Sequence, residues 1–148
     1  MLGGLRWANV PLPEAHLIGL GVGILAQVLA PWRLPLPSVV GVVVGLVVGL
    51  GGLALAGWAV WAAGSVHLAH PGQLVEEGPY ARSRNPMYVG WTLVYAGVTL
   101  MLGSVWLLVL LPLVLVATHA AVISEERRLA REFGTQFEGY TTRVRRYL

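Results

Sequence analysis

The chain has 148 residues, of which 56% are hydrophobic and only 11% are charged, and its mean hydropathy of +0.70 lies far outside the usual range for soluble domains. It contains no cysteine, which excludes disulfides, thiolate metal sites and cysteine nucleophiles. The net charge of +3 comes from arginines that cluster beside apolar segments, so membrane lipids are favoured over nucleic acid as partners. We therefore expect a single, all-α integral membrane domain over residues 1–148.

Four apolar stretches follow one another along the chain, at about 16–30, 39–63, 88–102 and 104–123. We interpret them as about four transmembrane helices in a helical bundle, followed by a C-terminal cytoplasmic helix and tail. The first and third stretches are short for a span that needs roughly 20 residues. Interfacial aromatic residues at their ends, among them Trp7, Trp32 and Tyr88, would supply the missing length.

The second stretch carries Gly41, Gly45 and Gly49 at four-residue spacing. This spacing places them on one helical face and allows another helix to approach closely. We expect that face to pack within the chain rather than at a dimer seam, and the oligomeric state stays open.

The distribution of arginines predicts the orientation in the membrane, because positive residues stay on the cytoplasmic side of short loops. With four spans, Arg6, the loop with Arg82 and Arg84, and the arginine-rich tail share one face, which leaves Arg33 alone on the other. Both termini and the segment GPYARSRNP are therefore predicted to lie on the cytoplasmic side of the cytoplasmic membrane.

The third and fourth stretches are joined only by "LGS" around Gly103, which predicts a tight antiparallel hairpin. Asn85 and Pro86 are a strong helix start, with the Asn85 side chain accepting from the first free amides and Pro86 at the first helical position. Gly134 is expected to end the opposite helix. The hairpin thus brings "RNPMY" next to "ISEERRLAREFG" at the cytoplasmic interface.

A set of polar and charged side chains gathers at that end of the hairpin: Tyr80, Arg82, Arg84, Asn85, Tyr88, Glu125 and Glu126. A glutamate suits an ammonium group, while arginine and the amides of a helix start suit a carboxylate. A zwitterionic amino-acid headgroup fits this description. The residues alone favour interfacial anchors that neutralise one another over such a binding site.

The segments LVEEGPYARSRNPMYVGW and VISEERRLAREFGTQFEGYTTRVRRYL resemble the isoprenylcysteine carboxyl methyltransferase and phospholipid methyltransferase superfamily of membrane enzymes, over about residues 74–148. The resemblance implies an S-adenosylmethionine-dependent methyltransferase with an amphipathic or lipid-like acceptor. It divides the domain into N-terminal transmembrane helices (1–70) and a cofactor-binding loop, helix hairpin and C-terminal cap (71–148). It implies cofactor contacts at Gly78, Pro79, Tyr80, Arg84, Asn85, Pro86, Tyr88, Gly90, Glu125 and Glu126.

Within this set, Arg84 and Glu125 are the predicted catalytic residues, and Tyr140, Arg143 and Trp91 are the predicted substrate contacts. The sequence departs from the eukaryotic-type enzymes of the superfamily at Asn85, where those enzymes carry histidine. An imidazole that titrates is therefore not present at that position, which separates this chain from the prenylcysteine-specific enzymes.

The remaining histidines suggest no metal site. His67 and His70 lack a third ligand and are interpreted as loop or interfacial residues. His119 is expected to be a hydrogen-bonded packing residue and His16 an interfacial one. Two other functions stay open, namely an NADPH-dependent membrane reductase of the sterol-reductase kind and a non-catalytic membrane scaffold.

Overall fold

The computed structural model describes residues 13–64 and 74–148, which form five α-helices and one 3-10 turn. Each helix begins within two residues of a proline, glycine or serine that disfavours its continuation or caps it, and all of them except α5 also end within two residues of one. In chain order these elements are α1 (Glu14–Leu29), α2 (Ser38–Ala63), the 3-10 turn (Gly78–Ala81), α3 (Pro86–Leu102), α4 (Val105–Phe133) and α5 (Thr135–Arg143).

Two of these helices, α2 and α4, are long and apolar enough to cross a membrane. The large side chains of α2 are largely exposed, as expected for a helix that faces lipid; Trp61, for example, is 80% exposed. The helices α1 and α3 have 16 and 17 residues, or roughly 24–26 Å against a hydrocarbon core of about 30 Å. Their crossing of the bilayer, and the orientation of the termini, stay predictions.

The α3–α4 hairpin is not the tightly packed pair that the short connection predicts. Gly103 does make the turn, with a φ of 53°, but α3 packs mainly against α2 and α4 mainly against α1. A turn controls the direction of the chain, whereas the partner of each helix depends on which faces fit closely. The prediction of an antiparallel reversal at Gly103 is right, and the prediction of a tight interface between its two arms is wrong.

Glycines explain the α2–α3 pairing. A Cβ added at Gly45 would lie 2.6 Å from the carbonyl oxygen of Gly97, and one added at Gly41 would lie 2.7 Å from that of Leu100. Gly49 contacts the same place, with the Cα of Gly97 3.9 Å from its added Cβ. The predicted glycine face of α2 therefore packs within the chain, as expected, and brings two backbones together.

Backbone hydrogen bonds close the end of the bundle at which Gly103 reverses the chain between α3 and α4. The N–H of Leu34 donates to the carbonyl oxygen of Gly103 at 2.7 Å, and the N–H of Val105 donates to that of Trp32 at 3.0 Å. The connection between α1 and α2 is thus attached to the turn between α3 and α4. Consequently the start of α1, the end of α2, the start of α3 and the end of α4 share the other end.

The interior between α1, α3 and α4 is filled by Tyr95, Leu107 and Val114, all at most 4% exposed. His16 lies beside this cluster, fully buried, with its Nε2 3.0 Å from the Oγ1 of Thr92. His16 is therefore buried between helices, and its predicted position at the membrane interface stays a prediction. Its place in the apolar pattern of α1 does not reveal the polar partner, which lies 76 residues further along the chain.

Candidate functional site

A cavity opens where α3 begins and α4 ends, covered by α5. Its empty volume is about 700 Å³, which includes space open to solvent. The lining combines eight residues from the start of α3 and the segment before it with five residues of α4 and α5. These lining residues are Leu74, Val75, Tyr80, Arg84, Asn85, Pro86, Met87, Tyr88, Glu125, Glu126, Leu129, Phe137 and Tyr140.

The guanidinium of Arg84 is held almost entirely by protein acceptors. Its Nε and Nη2 lie 3.1 Å from Oε1 of Glu126. Its Nη1 donates to the carbonyl oxygens of Thr141, at 3.2 Å, and Val144, at 2.8 Å. Three of the five N–H donors of the arginine make these hydrogen bonds, and Nη2 adds an ion-pair contact. Arg84 thus fastens the C-terminal end of α5, whose last carbonyls have no intrahelical partner, to the start of α3.

Glu126 is the centre of this fastening. Besides Arg84, it binds Arg146, with Nη2 of Arg146 2.9 Å from its Oε2. The side chains of Arg84 and Glu126 are each 11% exposed, so their ion pair is shielded from solvent. The hydrogen bonds to Glu126 also raise the pKa of Arg146. We call Arg84, Glu126 and Arg146 the tail clamp, because they join α3, α4 and the C-terminal segment.

Glu125 has different surroundings, although it is the next residue in α4. The hydroxyl of Tyr88 lies 3.5 Å from its Oε2, and the charge of Arg128 acts on it. Tyr80 lies close enough that burial, and then the charge of Glu125, raise the pKa of Tyr80 to about 12. The Tyr80 hydroxyl therefore stays protonated at neutral pH. Glu125 presents a negative charge to the cavity among aromatic side chains.

The start of α3 forms another wall, and here one prediction is wrong. Asn85 occupies the N-cap position and Pro86 the first helical position, but the Asn85 side chain caps no amide. Instead its Nδ2 donates to the carbonyl oxygen of Arg146 at 3.1 Å. The C-terminal segment takes this side chain, so the N–H groups of Met87 and Tyr88 have neither an intrahelical acceptor nor this cap, and both residues line the cavity.

The helix α5 covers the cavity through its buried aromatic face. The hydroxyl of Tyr140 donates to the carbonyl oxygen of Tyr80 at 2.7 Å, and burial raises the pKa of Tyr140. Phe137, on the same face, is 5% exposed. Arg143 does not reach the cavity; it pairs with Glu76 at 2.7 Å near the surface. Of the two predicted substrate contacts on α5, Tyr140 therefore lines the cavity and Arg143 does not, and the contact of Tyr140 with substrate stays a prediction.

Several predicted site residues lie outside the cavity. Gly78 and Pro79 form the 3-10 turn, with Gly78 against α2 at a φ of 61°. Gly90 faces α2, where an added Cβ would lie 2.8 Å from the carbonyl oxygen of Gly52. Trp91 is half-buried on α3, and Arg82 is exposed. Packing accounts for both glycines, and their direct contact with a cofactor stays a prediction.

The apolar wall was not predicted from the sequence. It comes from Leu74, Val75, Met87, Leu129 and Phe137. The sequence contains a pattern that could have indicated Leu129, because this residue lies four positions after Glu125 and therefore shares its helical face. The others come from separate segments, and no local pattern connects them.

The histidines contribute little here. The Nδ1 of His119 lies 2.7 Å from the hydroxyl of Tyr147, which confirms the predicted hydrogen bond. His119 is exposed, however, so the prediction that it is a packing residue is wrong. His67 and His70 lie outside the described residues. Within residues 13–64 and 74–148, no group of three histidine or acidic side chains is arranged to hold a metal ion.

Comparison with known proteins places the chain in context. A family model described as phospholipid methyltransferase matches residues 38–136, about two thirds of the chain. No curated protein and no solved structure matches it. The match begins at the start of α2, earlier than the segment from residue 74 that carries the sequence resemblance. Because α2 packs on α3 through shared glycines, its inclusion is structurally reasonable.

Proposed function

Because this chain belongs to the phospholipid methyltransferase family, we propose that it transfers the methyl group of S-adenosylmethionine to an amphipathic, lipid-like acceptor at the cytoplasmic edge of the membrane. The observation that carries the proposal is the cavity between the start of α3, Glu125 on α4 and the cover formed by α5. It combines the carboxylate of Glu125, which is not part of the tail clamp, with the uncapped start of α3 and an apolar wall in one place.

The residues of the cavity fit the chemistry of the cofactor. Its amino-acid end carries an ammonium, which suits Glu125, and a carboxylate, which suits the N–H groups of Met87 and Tyr88 at the positive end of α3. The aromatic rings of Tyr80 and Tyr88 suit a positively charged sulfonium. Leu129 and Phe137 offer an apolar surface to the adenine.

The bound cofactor supplies a methyl group that is already activated for transfer by its positively charged sulfur. The protein then needs to hold the acceptor in line with that methyl group and to exclude bulk water. The cover formed by α5 serves the second purpose, since Phe137 and Tyr140 are both buried against the cavity. An acceptor with a long apolar part would approach from the lipid side, along the exposed apolar faces of the helices.

In this proposal the two residues predicted to be catalytic have different roles. Glu125 contacts the cofactor directly. Arg84 acts through other residues, because its donors are occupied by Glu126 and by two carbonyl oxygens of the C-terminal segment. We therefore assign Arg84 as a positioning residue that keeps α5 over the cavity.

The test is calorimetric titration of the purified protein in detergent with S-adenosylhomocysteine, followed by methylation of a lipid extract with a radiolabelled methyl donor. We expect saturable binding and a labelled product that partitions with the lipids. Binding of NADPH without binding of S-adenosylhomocysteine would instead favour the reductase alternative. A protein that folds but binds neither ligand would support the scaffold alternative and overturn the proposal.

A further inference from the structure

His16 has one ring nitrogen without a partner, and the hydrogen bonds of the other nitrogen determine its protonation. The hydroxyl of Thr92 donates to the carbonyl oxygen of Tyr88 at 2.9 Å, which uses its single hydrogen. The Nε2 of His16, 3.0 Å from the same hydroxyl oxygen, must then be the donor. In the neutral ring, Nδ1 is left with a free lone pair, and among the described residues it has no hydrogen-bond partner.

A second unpartnered polar atom lies in the same region. Thr118, on α4, is 5% exposed, and its Oγ1 has no hydrogen-bond partner within the described part of the chain. A buried polar group left in this state costs about 1–3 kcal/mol. Two such groups in one helix interface indicate that something polar normally satisfies them.

The packing of α1 on α4 places these two residues at the same level. A Cβ added at Gly19 would meet Val114, and one added at Gly23 would meet Leu107, so the two helices run antiparallel. His16 is one turn before Gly19, on the buried face of α1, and Thr118 is one turn after Val114, on the buried face of α4. The register therefore places His16 and Thr118 at a similar level of the interface between α1 and α4.

This layer lies directly beneath the cavity. Thr92 is one helical turn after Tyr88, which lines the cavity, and Thr118 is seven residues before Glu125, or about 10 Å along α4. On the far side, Tyr95 closes the interior, with its ring edge-on to that of His16 and 6.4 Å away between centroids. His16, Thr92 and Thr118 thus form a polar layer between the cavity and the apolar core.

We propose that His16 and Thr118 form a polar subsite for the nucleophilic group of the methyl acceptor, and that the Nδ1 of His16 takes the proton which that group loses. The inference rests on the proposed function and extends it to the acceptor. It assigns an acceptor whose nucleophilic atom carries a proton, an N–H or O–H group, since a carboxylate has no proton to give.

The step balances as follows in atoms and electrons. The bond between the nucleophilic atom and its hydrogen breaks, the proton goes to Nδ1, and the electron pair stays on the nucleophile. The nucleophile forms a bond to the methyl carbon as the sulfur–carbon bond breaks, and that electron pair stays on sulfur. The products are the methylated acceptor, S-adenosylhomocysteine and a protonated His16, which returns its proton to water when the products leave.

Titratable groups lie on each helix packed around His16. Its own helix contributes Glu14 at the cavity end, α3 contributes the neutral side chains of Tyr88 and Tyr95, and α4 contributes Glu125 with Arg128, whose charge acts on it. The complete burial of His16 favours the neutral ring, which is the form that can take up a proton.

The test compares His16→Gln with Thr118→Val and with the control Thr99→Val. Glutamine keeps a donor for Thr92 but has no basic nitrogen. Thr99 is buried on α3 and bonds the carbonyl of Tyr95, so Thr99→Val repeats the chemical change away from the subsite. We expect kcat/KM for the acceptor to fall about 100-fold in His16→Gln and about tenfold in Thr118→Val, with Thr99→Val unchanged.

Two further readouts separate this role from a structural one. The native enzyme should lose activity at acidic pH, and His16→Gln should lose that pH dependence. The affinity for S-adenosylhomocysteine should stay within about twofold of native in all three variants. If the first two variants lower only the melting temperature and keep native kcat, the pair binds a structural water and the proposal is overturned. If the native protein neither binds S-adenosylhomocysteine nor methylates lipid, the proposed function fails instead.

Discussion

At the scale of single residues, the two adjacent glutamates of α4 have different roles, because a shift of one position along the helix changes which side chains a residue contacts. Successive residues on an α-helix point about 100° apart. Glu126 consequently meets Arg84 and Arg146 in the tail clamp, whereas Glu125 meets Tyr88 and the cavity. The pair is not a duplicated acidic function but one structural carboxylate beside one that is available to a ligand.

We expect Glu125→Gln to change mainly the affinity for the cofactor and Glu126→Gln to change mainly the stability of the protein. Removing the charge of Glu125 should raise the dissociation constant for S-adenosylhomocysteine about 10- to 100-fold, because a hydrogen bond to a charged group contributes about 1.5–3 kcal/mol. The melting temperature should stay near native. Calorimetry and thermal unfolding in detergent measure the two quantities.

Glu126→Gln should instead lower the free energy of unfolding by about 3 kcal/mol, since it leaves a mostly buried arginine without its partner. It should also make the segment after Gly134 more susceptible to limited proteolysis than in Glu125→Gln, which serves as the matched control. A tail as resistant as that of the native protein would contradict the assignment of Glu126 to the clamp.

At the scale of elements, the position of the cavity depends on the fit between α2 and α3. Gly97 on α3 meets Gly45 and Gly49 on α2, and one turn from the cavity Gly90 meets Gly52. The two backbones lie so close together at these positions that any side chain larger than the hydrogen of glycine would force the helices to move apart. Because α3 begins in the cavity wall, its placement against α2 also places the uncapped amides.

We expect Gly97→Ala to lower the free energy of unfolding by about 1–3 kcal/mol, since its Cβ would lie 2.7 Å from backbone atoms of Gly45 and Gly49. Gly51→Ala is the matched control, because nothing lies within 4 Å of a Cβ there. Thermal unfolding in the same detergent measures both. Equal stability of the two variants would contradict backbone-to-backbone packing of α2 on α3.

At the scale of the whole molecule, the ends of the helices are sorted into two groups. The connection between α1 and α2 is bonded to the turn at Gly103, and the cavity, the tail clamp and α5 lie at the opposite end. This sorting is what four alternating spans would produce. It agrees with the distribution of arginines, which predicts that the cavity end is cytoplasmic.

Because the chain has no cysteine, single introduced cysteines can report this orientation. We expect Thr142→Cys, exposed on α5, to react with a membrane-impermeant maleimide only after cells are permeabilised, and Leu36→Cys, exposed between α1 and α2, to react on intact cells. Labelling of both positions from the same side would contradict the predicted topology.

The sequence by itself determined the features that depend on neighbouring residues in the chain. The break at Asn85–Pro86, the turn at Gly103 and the helix end at Gly134 follow from backbone restrictions that proline and glycine impose locally. The spacing of the glycines on α2 likewise predicts close packing, and the motifs on both sides of the hairpin predict the family. These signals do not require knowledge of the partner.

Only the tertiary structure decided which groups meet. The rotation of α4 separates Glu125 from Glu126, the return of the tail takes the Asn85 side chain away from the helix start, and the packing of α1 buries His16 against Thr92. These partners lie 61 and 76 residues apart for Asn85 and His16. Such contacts depend on how whole helices pack and rotate against each other, and a local pattern carries no information about a partner that distant in the chain.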